Sequence, residues 1–455
     1  MRCNDCSRAD LLRAVAGQGL PTIEAGMPLP AGTGLSRRSF LLRSGGLALS
    51  IYGASALAPR LLEDGIAAAV GSGDGRVLVS IFMPGGADAL SMLYPAGDPA
   101  YGKLRPTLRL PAGAGSLFGE DDRLHWHPSL APLAQLHGEG KVTVFPAIGY
   151  THADQSHFTS RHYWEVGATD ASLRTGWLGR FLDVVGAADN PLQGLSLDGT
   201  LQPALATARL PVAAVEGTAT YALSASHVYD SVELRMREAL GALGAIDTHG
   251  DRWRGIAASV TSQSNRLRQQ LQPFSDNGVT SPVQYPDDKD SGFAGQLAGL
   301  AAMIAMGLPL KCVAFSAPGE YDTHADQPSA LTSGLTITAS CLHAFQRDLE
   351  ARGIADRVLV HVWSEFGRRA EQNGSDGTDH GAGGTSFLIG SRARGRMVGE
   401  FPGLADGKGL DPDGNLVATS DFRGVYAALL EQWFGFDAAQ VIPGASTFAR
   451  PQLIR

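Results

Sequence analysis

Side chains suited to holding a metal ion recur at a few short stretches of this chain. Asp322 and His324 stand two apart in Tyr321-Asp322-Thr323-His324, and Asp379 adjoins His380 in Thr378-Asp379-His380-Gly381. Glu365 lies in Ser364-Glu365-Phe366-Gly367, and Asp88 follows a glycine pair in Pro84-Gly85-Gly86-Ala87-Asp88. Carboxylate oxygens and imidazole nitrogens are the usual ligands of divalent metals, and glycine beside them lets the backbone bend toward an ion or a phosphate. The densest polar run, Tyr150 to Glu165, holds Ser156, His157 and Arg161. Helical periodicity begins near Ser156, so its hydroxyl would face unpaired N–H groups and the positive end of the helix dipole. That environment suits a serine attacking a phosphate or sulfate, because the same N–H groups hold the anion. In the plainer alternatives Ser156 is a capping residue and Asp88 a cap or turn residue.

These groups are useful together only if the fold brings them together, and the flanking sequence says how. Val358 to Trp363 is a β-branched apolar run that reads as a strand buried on both faces, ending just before Glu365. Leu310 to Phe315 is a second such strand, with Asp322 and His324 in its exit loop. Arg76 to Met83 is a third, running into the Gly-Gly turn before Asp88. Open α/β sheets bind ligands at the carboxyl ends of their strands, so the exits predict one shared site. Further strands are expected at Val142–Pro146 and Thr385–Ile389, and helices at Leu173–Val185, Val232–Leu243, Gly292–Met306, Leu331–Leu349 and Val425–Phe434. A helix over Arg252–Leu271 should give way to a Pro/Asp/Ser-rich loop over Gln272–Ser291, and residues 186–291 read as a candidate insertion. His125 and His127 precede Pro128 and read as loop or packing residues. The predicted fold class is α/β: a three-layer α/β/α sandwich around a mostly parallel central sheet.

Ser36-Arg37-Arg38-Ser39-Phe40-Leu41 matches a twin-arginine export signal, with Arg37 and Arg38 as its arginine pair. Residues 1–58 are expected to be removed, leaving 59–455 as one domain that is periplasmic or secreted, with the twin-arginine translocase as its export partner. The chain carries a net charge of −8, and the removed part takes away Arg37 and Arg38 among other arginines. An acidic body of this kind does not read as binding nucleic acid. Export makes a cytoplasmic nucleotide cofactor unexpected, in keeping with the lack of a Walker-type phosphate loop. Cys3 and Cys6 would leave with the signal, while Cys312 and Cys341 read as buried free thiols.

Taken together, several motifs resemble the family of twin-arginine-exported proteins known as domain of unknown function 1501. They are Ser36 to Leu41, Pro84 to Leu90, Ser156-His157-Phe158, Tyr321 to His324, Trp363 to Arg369, Gly377 to Gly381 and Asp421 to Tyr426. That family in turn looks like a branch of the alkaline phosphatase and sulfatase superfamily of α/β/α sandwiches, which use divalent metals to hydrolyse phosphate or sulfate esters. The resemblance implies metal ligands at Asp88, Asp322, His324, Glu365 and Asp379 or His380, with Ser156 in the nucleophile's region. Glu365-Phe366-Gly367 stands where the superfamily has Asp-His-Gly, a shorter ligand set. The expectation is an exported hydrolase of phosphate or sulfate esters that takes a small-molecule ester and uses zinc, calcium or manganese. Ser156 would attack, with His157 or Arg161 steadying charge. The alternative is a non-catalytic exported or surface protein that keeps the sandwich.

Overall fold

The computed structural model describes residues 75–215, 230–247, 252–277, 279–288, 290–405 and 407–455. The signal stretch with Arg37 and Arg38, the boundary at residue 58 and the Cys3/Cys6 pair lie outside these residues. In chain order the strands are β1 (Val77–Phe82), β2 (Leu93–Tyr94), β3 (His125–Trp126), β4 (Val142–Gly149), β5 (Gly194–Ser196) and β6 (Ala213–Ala214). They continue with β7 (Cys312–Ser316), β8 (Val358–Trp363), β9 (Arg368–Gln372), β10 (Thr378–His380), β11 (Gly384–Ile389) and β12 (Ser420–Asp421).

Eight strands form one sheet in the order β12-β4-β11-β8-β1-β7-β5-β6. β11 runs antiparallel to both of its neighbours, β4 and β8, and the other pairings are parallel. The predicted three-layer α/β sandwich with a mostly parallel sheet is therefore what the chain adopts. Its centre, β1 flanked by β7 and β8, consists of the three apolar runs picked out by composition.

Alternation along these strands builds the layers. Val77, Val79 and Ile81 of β1 turn into one core, together with Val313 and Phe315 of β7 and Val358, Val360 and Val362 of β8. Leu78 and Phe82, Cys312 and Ala314, and Leu359 and Trp363 turn into the other. The first core is covered by the helices Ala131–Gly138, Phe293–Ala305 and Gln327–Ala351, the second by His157–Val166, Trp177–Val185 and Phe422–Gln432. A period-2 strand with both faces apolar must be covered twice, which is why these runs lack polar alternation.

Within residues 186–291, β5 and β6 extend the main sheet beyond β7. One expectation changes. The Arg252 helix does not stop at Leu271 but continues to Asn277 with Pro273 inside it. Leu267, Leu271 and Phe274 fall on one face at helical spacing and are buried. Burial of that stripe outweighs the hydrogen bond lost at a proline close to the helix end. Cys312 and Cys341 are buried free thiols, as expected.

Candidate metal centre

The carboxyl ends of β1, β7 and β8 open on the same rim of the sheet, and each exit is fixed by close backbone packing. After β1 the chain turns at Gly85 and Gly86, with φ of 118° and 74°. A Cβ on Gly85 would lie 2.3 Å from the backbone nitrogen of Asp322, and one on Gly86 2.3 Å from the Phe366 ring. No side chain fits there, so the glycine pair lets the three exits touch. After β7, Tyr321 is anchored by its hydroxyl to Thr338 Oγ1 at 2.9 Å, which presents Asp322 to the rim. After β8, Ser364 and Glu365 turn back to the glycine pair. Gly85 N–H donates to Glu365 Oε1 at 3.0 Å, and Gly86 N–H to Glu365 Oε2 at 3.0 Å. Ser364 Oγ accepts from the Ala87 N–H at 3.0 Å.

Three imidazoles converge on Asp322. Its Oδ1 lies 3.2 Å from His324 Nε2, 3.3 Å from His380 Nε2 and 3.5 Å from His157 Nε2. Ligand atoms of His157, Asp322 and His380 lie within 4.8 Å of one another, a spacing one metal ion can span. The opposite nitrogen of each ring is held by an acceptor. His157 Nδ1 is 2.8 Å from Glu365 Oε1, His324 Nδ1 is 3.2 Å from Asp379 Oδ1, and His380 Nδ1 is 2.8 Å from the Gln155 carbonyl oxygen. Each ring therefore sets its Nδ1 against an outer acceptor and turns its Nε2 inward toward Asp322 Oδ1. His324 Nε2 and His380 Nε2 then face each other across 2.9 Å.

The charges fit this arrangement. Burial opposes ionisation of Asp322, yet the three imidazoles and the Arg368 guanidinium hold its carboxyl far below the usual carboxylate range. Its Oδ2 is buried without a hydrogen-bond partner among the described residues, so the carboxylate keeps an oxygen to spare. Burial likewise opposes ionisation of Glu365, but the His157 ring brings it down to about 2. Burial pushes the His380 ring below its usual value, toward the neutral form that ligates metals.

The structure redistributes the expected ligands. Asp322, His324 and His380 meet as anticipated, and His157, expected only to steady charge, joins them. Glu365 and Asp379 are at the site and turn their oxygens to the His157 and His324 Nδ1 atoms, Glu365 also to backbone N–H groups. Asp88, also expected as a ligand, has its carboxylate engaged by other side chains. Arg105 Nη1 lies 2.6 Å from Asp88 Oδ2, both side chains fully buried, and Ser91 Oγ and Gln327 Nε2 donate to the same oxygen at 2.6 Å. Ser156 Oγ accepts from the Phe158 N–H at 3.2 Å and caps the His157–Val166 helix. Arg161 donates from Nε to Glu165 Oε1 at 2.8 Å and lies over the Phe82 ring. His125 stacks on Tyr94 and His127 Nδ1 accepts from the Ser129 N–H, the packing and loop roles expected.

Sequence reasoning missed the residues that hold the frame. Arg368, fully buried, donates to the carbonyl oxygens of Gly86 and Thr378 at 2.9 and 2.7 Å and pairs with Asp322 Oδ1. Gln327 Oε1 accepts from Thr323 and Thr378, the neighbours of Asp322 and Asp379. Arg105 reaches the carbonyl oxygens of Ala370 and Arg369. Arg368 adjoins the Ser364-Glu365-Phe366-Gly367 stretch and could have been suspected. Arg105 gave no signal, since it lies in a turn-rich segment and the carbonyls it reaches, those of Arg369 and Ala370, are remote in sequence.

The chain belongs to the family described as Protein of unknown function (DUF1501), which matches residues 127–443. Among curated proteins nothing matches it. Solved structures with a similar course include a protein in the alkaline phosphatase superfamily from Vibrio parahaemolyticus. Identity there is 10% and the TM-score 0.35, over 91% of this chain and 79% of that one. The lipoteichoic acid synthase LtaP from Listeria monocytogenes is similar at 7% identity and a TM-score of 0.32, over 88% and 79% of the two chains. A sulfatase from Pseudoalteromonas sp. is similar at 9% identity and a TM-score of 0.37, over 88% and 78%. No helix among the described residues is long and apolar enough to cross a membrane.

Proposed function

We propose that the chain is an exported, metal-dependent hydrolase of phosphate or sulfate esters, working at the cluster of His157, Asp322, His324 and His380. The observation that carries it is the inward convergence of three Nε2 atoms on Asp322 Oδ1, with every Nδ1 held by an acceptor. A bound divalent ion would neutralise ester oxygens and lower the pKa of a hydroxyl or water. Ser156, next to His157 at the helix N-terminus, supplies the attacking hydroxyl in this reading, and the helix N–H groups receive the anion. Arg161, one turn further along the helix and held by Glu165, steadies charge in this reading. Export through the twin-arginine translocase, to the periplasm or beyond, belongs to the same proposal and rests on Ser36 to Leu41.

The test is turnover of p-nitrophenyl phosphate and p-nitrophenyl sulfate by metal-loaded protein, beside Ser156→Ala and His380→Ala. Loss of turnover in both variants supports the assignment. A rate that survives Ser156→Ala removes Ser156 as nucleophile, and no turnover of either ester by metal-loaded wild type removes the hydrolase. A non-catalytic reading has one observation in its favour. Arg368 already neutralises Asp322, so the carboxylate has a counterion without any metal. Under that reading the protein is stable and inert toward both esters.

A further inference from the structure

We infer that the centre takes a single late transition-metal ion, with His157, His324, His380 and Asp322 as its ligands and Glu365 and Asp379 as positioning residues. The inference rests on the proposal above for where the ion sits, and adds how many ions, of what kind, and which side chains touch them. Division of labour follows from the hydrogen bonds. Glu365 spends its oxygens on Gly85 N–H, Gly86 N–H, Ser364 and His157 Nδ1. Asp379 Oδ1 accepts from Asn373 and faces His324 Nδ1 at 3.2 Å each. A carboxylate holding the outer N–H of a metal-binding imidazole fixes the ring's tautomer and direction without touching the ion.

The kind of ion follows from the inner atoms. Three imidazole nitrogens and one carboxylate suit zinc, iron, cobalt, nickel or copper, whereas calcium and magnesium require shells made almost wholly of oxygen. The number follows from supply. Asp88 is locked to Arg105, and the other two carboxylates are engaged with imidazoles, so among the described residues no second group of donors is found beside the first. Asp322 Oδ2, buried and unpartnered among the described residues, is an independent sign that the carboxylate is shaped for one more contact. The side open to water is that of His324 and Asp379, whose side chains are 37% and 57% exposed. Exchange of ion and solvent would take place there.

Full-length protein freed of metal by chelation is titrated with zinc, cobalt, calcium and magnesium, following bound metal per chain and the melting temperature. Expected are one zinc or cobalt per chain, a raised melting temperature with either, and no shift with calcium or magnesium. Cobalt(II) adds a signature of its own, since its visible absorption reports the ligand set. Glu365→Gln and Asp379→Asn should keep the one-to-one stoichiometry and the band positions, with affinity about 10–100-fold weaker. His157→Gln and His380→Gln should lose the ion or shift the bands, with circular dichroism confirming that each variant is folded. Two ions per chain, calcium binding as tightly as zinc, no ion in the wild type, or a changed cobalt spectrum in Glu365→Gln would each overturn the inference. Because none of these readouts uses an ester, failure of the hydrolase leaves them standing.

Discussion

Asp322 is the residue on which the site turns, and the residues just behind it decide how well it is held. Asp88 is the clearest case. Its pairing with Arg105 is fully buried, so deleting the carboxylate strands a guanidinium in the core. Asp88→Ala should cost about 3–5 kcal/mol of unfolding free energy in denaturant titration, yet leave metal bound per folded chain unchanged. A loss of metal at full stability would instead return Asp88 to the ligand set. Glu365 makes a prediction in pH. Its folded pKa of about 2 lies below the ordinary 4.5, so its share of stability is complete above about 4.5 and disappears as the pH falls toward about 2. In metal-free protein that share is on the order of 3 kcal/mol, read as the steepness of stability against pH between those values. Glu365→Gln should flatten the curve there.

At the level of elements, the exits of β1, β7 and β8 were legible because long β-branched runs ending in Gly, Asp and Glu leave few alternatives. What could not be read was the partnering of the side chains after each exit. A carboxylate at a strand end looks the same whether it will meet an ion, an imidazole or an arginine, and only the packing decides. Thus Asp88 looked like Asp322 in sequence, and Arg105 was invisible until the chain folded it against Asp88. The glycine pair was read as permissive backbone and proves to be a contact point. Gly85→Ala would drive a Cβ to 2.3 Å from the Asp322 backbone at a φ unsuited to alanine. The expected loss is at least about 3 kcal/mol, together with weakened metal binding because the Glu365 cradle opens. Ser156→Ala, by contrast, removes one helix cap and should cost about 1 kcal/mol. Comparing the two unfolding curves checks both statements.

Across the whole molecule, fold class was readable because doubly apolar strands demand two covering layers, and the two cores supply them. The short strands β5 and β6 were missed because runs of two or three residues leave no periodic trace. An ion that binds only the folded chain adds to global stability by mass action. Chelation of protein previously held at a hundredfold excess over its dissociation constant should therefore lower unfolding free energy by about 2.7 kcal/mol. Calorimetry with and without chelator measures it, and equal curves would mean that the cluster is empty in use.

The three orienting acceptors also come from three separate places: the loop before residue 157, the turn after β8, and β10. None of the rings is steered by a neighbour on its own short segment. A chain still emerging from the ribosome would thus present loosely swinging imidazoles, and the chelating pocket would come into being only with the last central pairing. Uptake of the ion would then be a timestamp on maturation, marking the moment when every layer has closed.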